Sequence, residues 1–111
     1  MAKTVRAQVV KSLGFAAIGV GYASVGTAID HPLRILWIQN TTDESLMFSF
    51  DGVNDHFPLA ANSYVLLDLN ANQNQIDTGL TLGVGTILYV KEIGNPTTGS
   101  VYFSGFYARG E

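Results

Sequence analysis

With 111 residues, 47% of them hydrophobic and 14% charged, the chain is sized for one domain that builds a core without covalent staples. The absence of cysteine excludes disulfides and thiolate sites. A net charge of −3 and an isoelectric point near 5.1 exclude a general nucleic-acid binder.

So few charges on a small domain point to a surface largely covered by neighbours, and therefore to assembly. The charges are also unevenly placed. Asp30 is the first acidic residue, preceded by Lys3, Arg6 and Lys11. The nine Asp and Glu all lie from Asp30 onward, with only Arg34, Lys91 and Arg109 as cations. Three cations and no acid make the first 29 residues +3; three cations against nine acids make the remaining 82 residues −6. Such asymmetry predicts an arm that works on a partner. Leu13 to Ile29 is apolar and glycine-rich, which suits a segment lying along protein surface rather than a solvated tail. The expected organisation is an N-terminal arm over residues 1–32 and a body over 33–111. Lys3, Val5, Arg6, Val9, Lys11 and Leu13 are the expected partner-binding residues. Three scattered cations do not make a nucleic-acid site.

The same stretch also fits a secretory signal, with Lys3, Arg6 and Lys11 as its basic region, Leu13 to Gly21 as its apolar region and Gly26-Thr27-Ala28 as a cleavage site. The expectation adopted is a retained arm. A membrane span is disfavoured because the apolar run is short and carries Gly14, Gly19, Gly21 and Gly26.

Within the arm, Val5, Val9 and Leu13 share a helical face, while Val5, Ala7 and Val9 fit strand alternation; residues 3–12 stay open between the two. Glycine and β-branched residues between Phe15 and Val25 favour an extended path. Asp30-His31-Pro32 ends the arm, since Pro32 biases His31 to an extended conformation.

From Arg34 the rhythm is β. Ile35-Leu36-Trp37-Ile38 predicts a strand covered on both sides. Asn40 to Ser45 is a polar turn cluster, and Leu46, Phe48 and Phe50 alternate along a second strand that Asp51-Gly52 closes. The two runs predict a hairpin. Val53 to Ser63 is a connection containing Pro58. Tyr64 to Leu69 is a strand with Val65, Leu67 and Leu69 on one face and Tyr64, Leu66 and Asp68 on the other. Asn70 to Thr78 is too polar to bury and reads as a loop. Leu80 and Leu82 suggest a short strand, and Thr86–Lys91 and Ser100–Ala108 are strands joined through Asn95-Pro96 and Gly99. The expected fold is all-β: a single β-sandwich or jelly-roll-like domain with an extended N-terminal arm.

No motif for chemistry emerges. Gly19-Val20-Gly21 with Gly26 departs from the dinucleotide fingerprint and lacks its strand–helix context. Asp51, Asn54, Asp55 and His56 are metal-capable, but their spacing matches no EF-hand, and turn formation is the favoured role. His31 and His56 lie in connections, and no GxSxG surrounds a serine. The expectation is a protein that is not an enzyme and needs no cofactor. Tyr102 and Phe106 share one strand face, Phe103 and Tyr107 the other; an exposed Tyr102–Phe106 face would suit a sugar ring or another protein. Asn40-Thr41-Thr42 matches a glycosylation sequon, of consequence only in a secretory pathway.

Ile38-Gln39-Asn40-Thr41-Thr42-Asp43, Phe48-Ser49-Phe50-Asp51-Gly52 and Leu67-Asp68-Leu69, with Gly85-Thr86, Tyr89-Val90-Lys91 and Pro96 to Tyr102, resemble small structural proteins of tailed bacteriophages. The likeness spans about residues 33 to 108. Together with the length and the expected arm, it is closest to the capsid decoration, or staple, proteins of short-tailed phages such as epsilon15. That resemblance implies a jelly-roll-like body on the outer capsid surface of the virion, clamping neighbouring major capsid subunits and associating with copies of itself. It implies no catalytic residues, no nucleic-acid partner and no membrane. A neck or tail adaptor using the same arm in a ring is the alternative within the virion. A glycan-binding sandwich, stacking on Tyr102 and Phe106, is the alternative outside it.

Overall fold

The computed structural model describes residues 4–69 and 81–108. These fold into two packed antiparallel sheets. The strands are β1 (Val5–Ala7), β2 (Lys11–Gly14), β3 (Ala23–Ser24), β4 (Ile35–Asn40), β5 (Leu46–Ser49), β6 (Phe57–Leu59), β7 (Ser63–Asp68), β8 (Tyr89–Glu92) and β9 (Ser100–Ala108), with one 3-10 turn at Phe15–Ala17. One sheet runs β1-β9-β4-β7, with β2 also paired to β9; the other runs β3-β8-β5-β6.

The pairing is nested. β2 pairs with β9, β3 with β8, β4 with β7 and β5 with β6. One long antiparallel ribbon, folded over on itself so that successive pairs fall in alternate sheets, gives this order: it is a jelly roll. Alternation then sorts the side chains. Leu36, Ile38, Val101 and Phe103 from one sheet meet Leu46, Phe48 and Val90 from the other, all buried.

The N-terminal segment differs from the expected arm. Lys11–Gly14 and Ala23–Ser24 are strands of this domain's own sheets, and Ile18, Val25 and Ile29 are buried in its core. Val25 and Ile29 donate backbone N–H groups to Leu88 and Thr86. Burying three aliphatic side chains is worth about 1.5–3 kcal/mol each, so residues 11–29 belong to the body rather than outside it. Within residues 3–12, which the sequence leaves open between helix and strand, Val5–Ala7 is a strand and residues 11–12 begin another.

The expected hairpin is also corrected, because β4 and β5 lie in different sheets. The polar run between them is an inter-sheet corner built around a buried asparagine. Asn40 donates through Nδ2 to the carbonyls of Glu44, Leu59 and Ala60 and accepts through Oδ1 from the Thr42 N–H and hydroxyl. Its side chain thus satisfies chain turning away from both sheets. The sequon asparagine is therefore unavailable to modification in the folded domain.

β8 and β9, too, cross between sheets, at the same end. Asp43 accepts from the N–H and hydroxyl of Thr97, and Thr41 and Ser100 exchange hydrogen bonds, so the two corners are tied together. Gly99 sits between them at φ +91°, where a Cβ would lie 2.3 Å from the Thr41 carbonyl oxygen.

The expected connection from Val53 to Ser63 contains strand β6. Pro58 is tolerated there because β6 is the sheet's last strand. The Ser100–Ala108 strand has its expected bounds, and Val65 and Leu69 pack against the core. Leu82 forms an isolated bridge with Leu33 rather than a strand. The polar stretch from Asn70 to Thr78 and Leu80 lie outside the described residues.

Candidate functional site

Two surfaces of the five-stranded sheet stand out. The first is its N-terminal edge. β1 and β2 both pair with β9, and between the pairs Ala7–Phe106 and Lys11–Phe103 three residues, Gln8, Val9 and Val10, face only two, Ser104 and Gly105. The extra residue makes a β-bulge, a device that interrupts a ladder and turns side chains outward. Val5 is 64% and Val9 88% exposed, with Val10 and Arg6 also exposed.

The expected partner-binding residues therefore separate. Val5, Arg6 and Val9 project from the edge. Lys11 is half-buried, its Nζ 3.2 Å from the Thr27 hydroxyl and its stem under Gly26. Leu13 packs against the core. Lys3 lies outside the described residues. Beside the bulge is an open recess lined by Gln8, Val9, Lys11, Asp30, His31 and Tyr107. The His31 and Tyr107 rings stack there at 3.9 Å and 3°.

The second surface is the sheet's outer face. The registers set three rows of three across β7, β4 and β9: Asp68, Ile35 and Phe106; Leu66, Trp37 and Ser104; Tyr64, Gln39 and Tyr102. Trp37 is 37% exposed, Tyr64 63%, Leu66 57% and Tyr102 36%. Trp37 and Tyr64 meet edge to face, ring centres 6.0 Å apart. The sequence reading put Tyr64 and Leu66 together on one strand face, opposite Val65, Leu67 and Leu69, and the structure turns that face outward. The sequence reading also took the run through Trp37 as covered on both sides, and that expectation is corrected: Ile35, Trp37 and Gln39 turn away from the core. Tyr102 and Phe106 do share the outer face, but Phe106 is half-buried across from Ala7.

The loop carrying Asp51, Asn54, Asp55 and His56 is organised by hydrogen bonds. Asp51 accepts from the N–H groups of Val53 and Asn54, the Asn54 side chain and the Ser49 hydroxyl, which hold its carboxyl well below the usual range. His56 Nδ1 accepts from the Phe50 N–H, and its Nε2 lies 3.8 Å from Asp51. Asp55 joins this loop to the N-terminal segment: Tyr22 donates to it at 2.6 Å, and Lys91 pairs with it at 2.9 Å while lying over the Tyr22 ring. Tyr22 and then Lys91 hold the Asp55 carboxyl low, whereas burial, followed by Asp55, pushes the Tyr22 phenol up to about 12. Among the described residues no group of three or more His, Asp or Glu is placed to hold a metal ion. No helix among them is long and apolar enough to cross a membrane.

No family model, no curated protein and no solved structure matches the chain.

Proposed function

We propose that this is a non-enzymatic structural protein of a bacteriophage virion, decorating the outer capsid surface and reinforcing it by clamping neighbouring major capsid subunits. The observation that carries the reading is the N-terminal edge, where a bulged strand presents Val5, Val9 and Val10 beside Arg6 outside the core. Exposed valines at a strand edge invite a partner's backbone and apolar side chains. The resemblance to phage staple proteins and the jelly roll support the same reading. That architecture also serves lectins and cupins, so the fold by itself leaves function to the surface.

The mechanism is narrower than an arm of 29 residues. Residues 11–29 are committed to the core, so the clamp is the segment through Val10, anchored by β2. At about 25 cal/mol per Å² of apolar surface, even a modest footprint of this edge gives a few kcal/mol before ordering costs. Repetition over many copies favours the assembled shell by mass action. The experiment is co-sedimentation of the purified chain with capsids lacking it, followed by particle stoichiometry. Hundreds of copies per particle mean decoration; about a dozen place the protein in a neck or tail ring. Absence of binding to capsids and to connectors removes the virion reading.

A further inference from the structure

We infer that the recess beside the bulge takes a carboxylate: the acidic side chain of an extended partner segment laid along the N-terminal edge. This rests on the proposed clamp and deepens it, by naming what the partner segment carries.

The first observation is an orphaned donor. Gln8 lines the recess, and its Nε2 is buried with no hydrogen-bond partner, the one such side-chain atom among the described residues. Its backbone N–H is bonded to the Gly105 carbonyl at 2.9 Å, so the residue is held in place. A buried N–H left unpaired lowers stability, and native domains keep few of them. A methionine of similar length would fill the position without that penalty. The amide gains a partner when an acceptor arrives from outside the domain.

Charge says which acceptor. Lys11 lines the same recess, with its stem fixed beneath Gly26 and one ammonium proton given to the Thr27 hydroxyl. An ammonium has three donors, so two remain. An amide donor and a cation thus border one recess. A carboxylate answers both, with one oxygen for Gln8 and one for Lys11, and a hydrogen bond between ions is the stronger kind. A cationic ligand would bring only donors and would face Lys11. The one carboxylate on the rim, Asp30, has its side chain 85% exposed and lies 3.8 Å from His31 Nε2. It is turned to water, and it disfavours a doubly charged phosphate more than a singly charged carboxylate.

Shape says where the carboxylate comes from. The recess is about 200 Å³, below the ~300 Å³ of the smaller cofactor pockets and well above the ~30 Å³ of one water. One side chain suits it. The stacked His31 and Tyr107 rings make a flat wall, and Val9 adds apolar surface, which suits the methylenes of a glutamate. The recess opens beside the sheet's edge. A strand added to that edge sets its side chains about 5 Å from those of β1. The exposed valines then supply contact area, and the recess selects which segment is accepted.

The test is nuclear magnetic resonance of the isotope-labelled full chain, without capsids. It is titrated with three acetylated and amidated tripeptides: Val-Glu-Val, Val-Gln-Val and Val-Lys-Val. The glutamate peptide is expected to shift the Gln8 side-chain amide and the backbone amides of Val9 and Lys11 saturably. The glutamine peptide is expected to bind at least about 5-fold more weakly. Gln8→Met and Lys11→Met should each weaken the glutamate peptide by a similar factor. Gln8→Met should also melt no lower than the wild type, because it removes an unpaired buried donor. A glutamate peptide without effect up to about 10 mM, equal binding of the glutamine peptide, or preference for the lysine peptide overturns the inference. Undiminished binding by both variants overturns it too, as does a Gln8→Met that melts markedly lower, the sign of an amide already paired. Capsid binding by a chain that ignores all three peptides removes this inference and leaves the virion reading standing; peptide binding by a chain that no capsid retains does the reverse.

Discussion

The backbone N–H of Val25 donates to the carbonyl of Leu88 at 2.7 Å, and both side chains are completely buried. This bond ties the glycine-rich N-terminal segment to strand β8's approach and makes that segment part of the domain it precedes. Deletion should therefore act in two stages. Removing residues 1–10 takes away β1 and the bulge but, among the described residues, no buried hydrophobic one, and should leave a cooperatively folding domain. Removing residues 1–29 also takes Ile18, Val25 and Ile29, and should leave an unfolded or aggregating chain. Heat and denaturant unfolding of the two truncations separates these outcomes.

Asn40 should be the most sensitive polar position. Its amide serves three carbonyls inside the corner, and leaving such groups buried and unpaired costs about 1–3 kcal/mol each. Asn40→Ala is expected to lose at least about 2 kcal/mol in denaturant unfolding. Asn40→Asp should lose more, because it sets a carboxylate against those carbonyl oxygens.

Glycine replacement should discriminate sharply between two nearby sites. At Gly99 the backbone is left-handed and a Cβ meets the Thr41 carbonyl, whereas at Gly14 nothing lies within 4 Å. Gly99→Ala is expected to cost about 3 kcal/mol or more, and Gly14→Ala less than about 1 kcal/mol. Paired melting curves test the contrast.

Stability should decline at both ends of the pH range. Hydrogen bonds depress the Asp43, Asp51 and Asp55 carboxyls in the folded state. Their contribution is present above the unfolded carboxyl value of about 4 and is lost as pH falls below it. Tyr22 behaves oppositely, its phenol being raised from 10.0 to about 12. Its contribution is complete below pH 10 and is lost as pH rises toward 12. Tyr22→Phe should flatten the alkaline limb of the melting temperature while leaving the part of the acid limb due to Asp43.

Much of the fold was legible because burial in a strand has a period of two. β9 emerged with its bounds, and Val65 and Leu69, which pack against the core, emerged on one strand face. Pairing was not legible. Alternation says which face is buried, not which strand lies alongside, and a polar cluster such as Asn40 to Ser45 reads the same as a solvated hairpin turn or as a corner with its asparagine buried. The N-terminal segment failed for a related reason: an apolar, glycine-rich stretch has one composition whether it packs on its own core or on a neighbour. Of the expected site residues, Val5, Arg6 and Val9 are on the surface, while Lys11 and Leu13 serve the domain. The Trp37 patch stayed hidden because a continuous apolar run looks like two-sided burial.

Salt should leave shell binding weakened but intact. The Arg6 charge on this edge is exposed and is screened over about 3 Å at 1 M salt, while the contact of Val5, Val9 and Val10 persists. Lys3→Ala should therefore matter less than Val9→Asp. Complete release at about 1 M salt would show that charge dominates the contact.

The most direct measurement is the binding isotherm of the purified chain on capsids lacking it, for wild type and Val9→Asp side by side. Val9 is the most exposed large hydrophobic residue described, at 88%, so its replacement leaves the core untouched. The account predicts saturable wild-type binding at a fixed ratio per shell and at least a 10-fold loss for a normally folded Val9→Asp. Wild-type protein that does not bind, or Val9→Asp that binds as tightly as wild type, contradicts it.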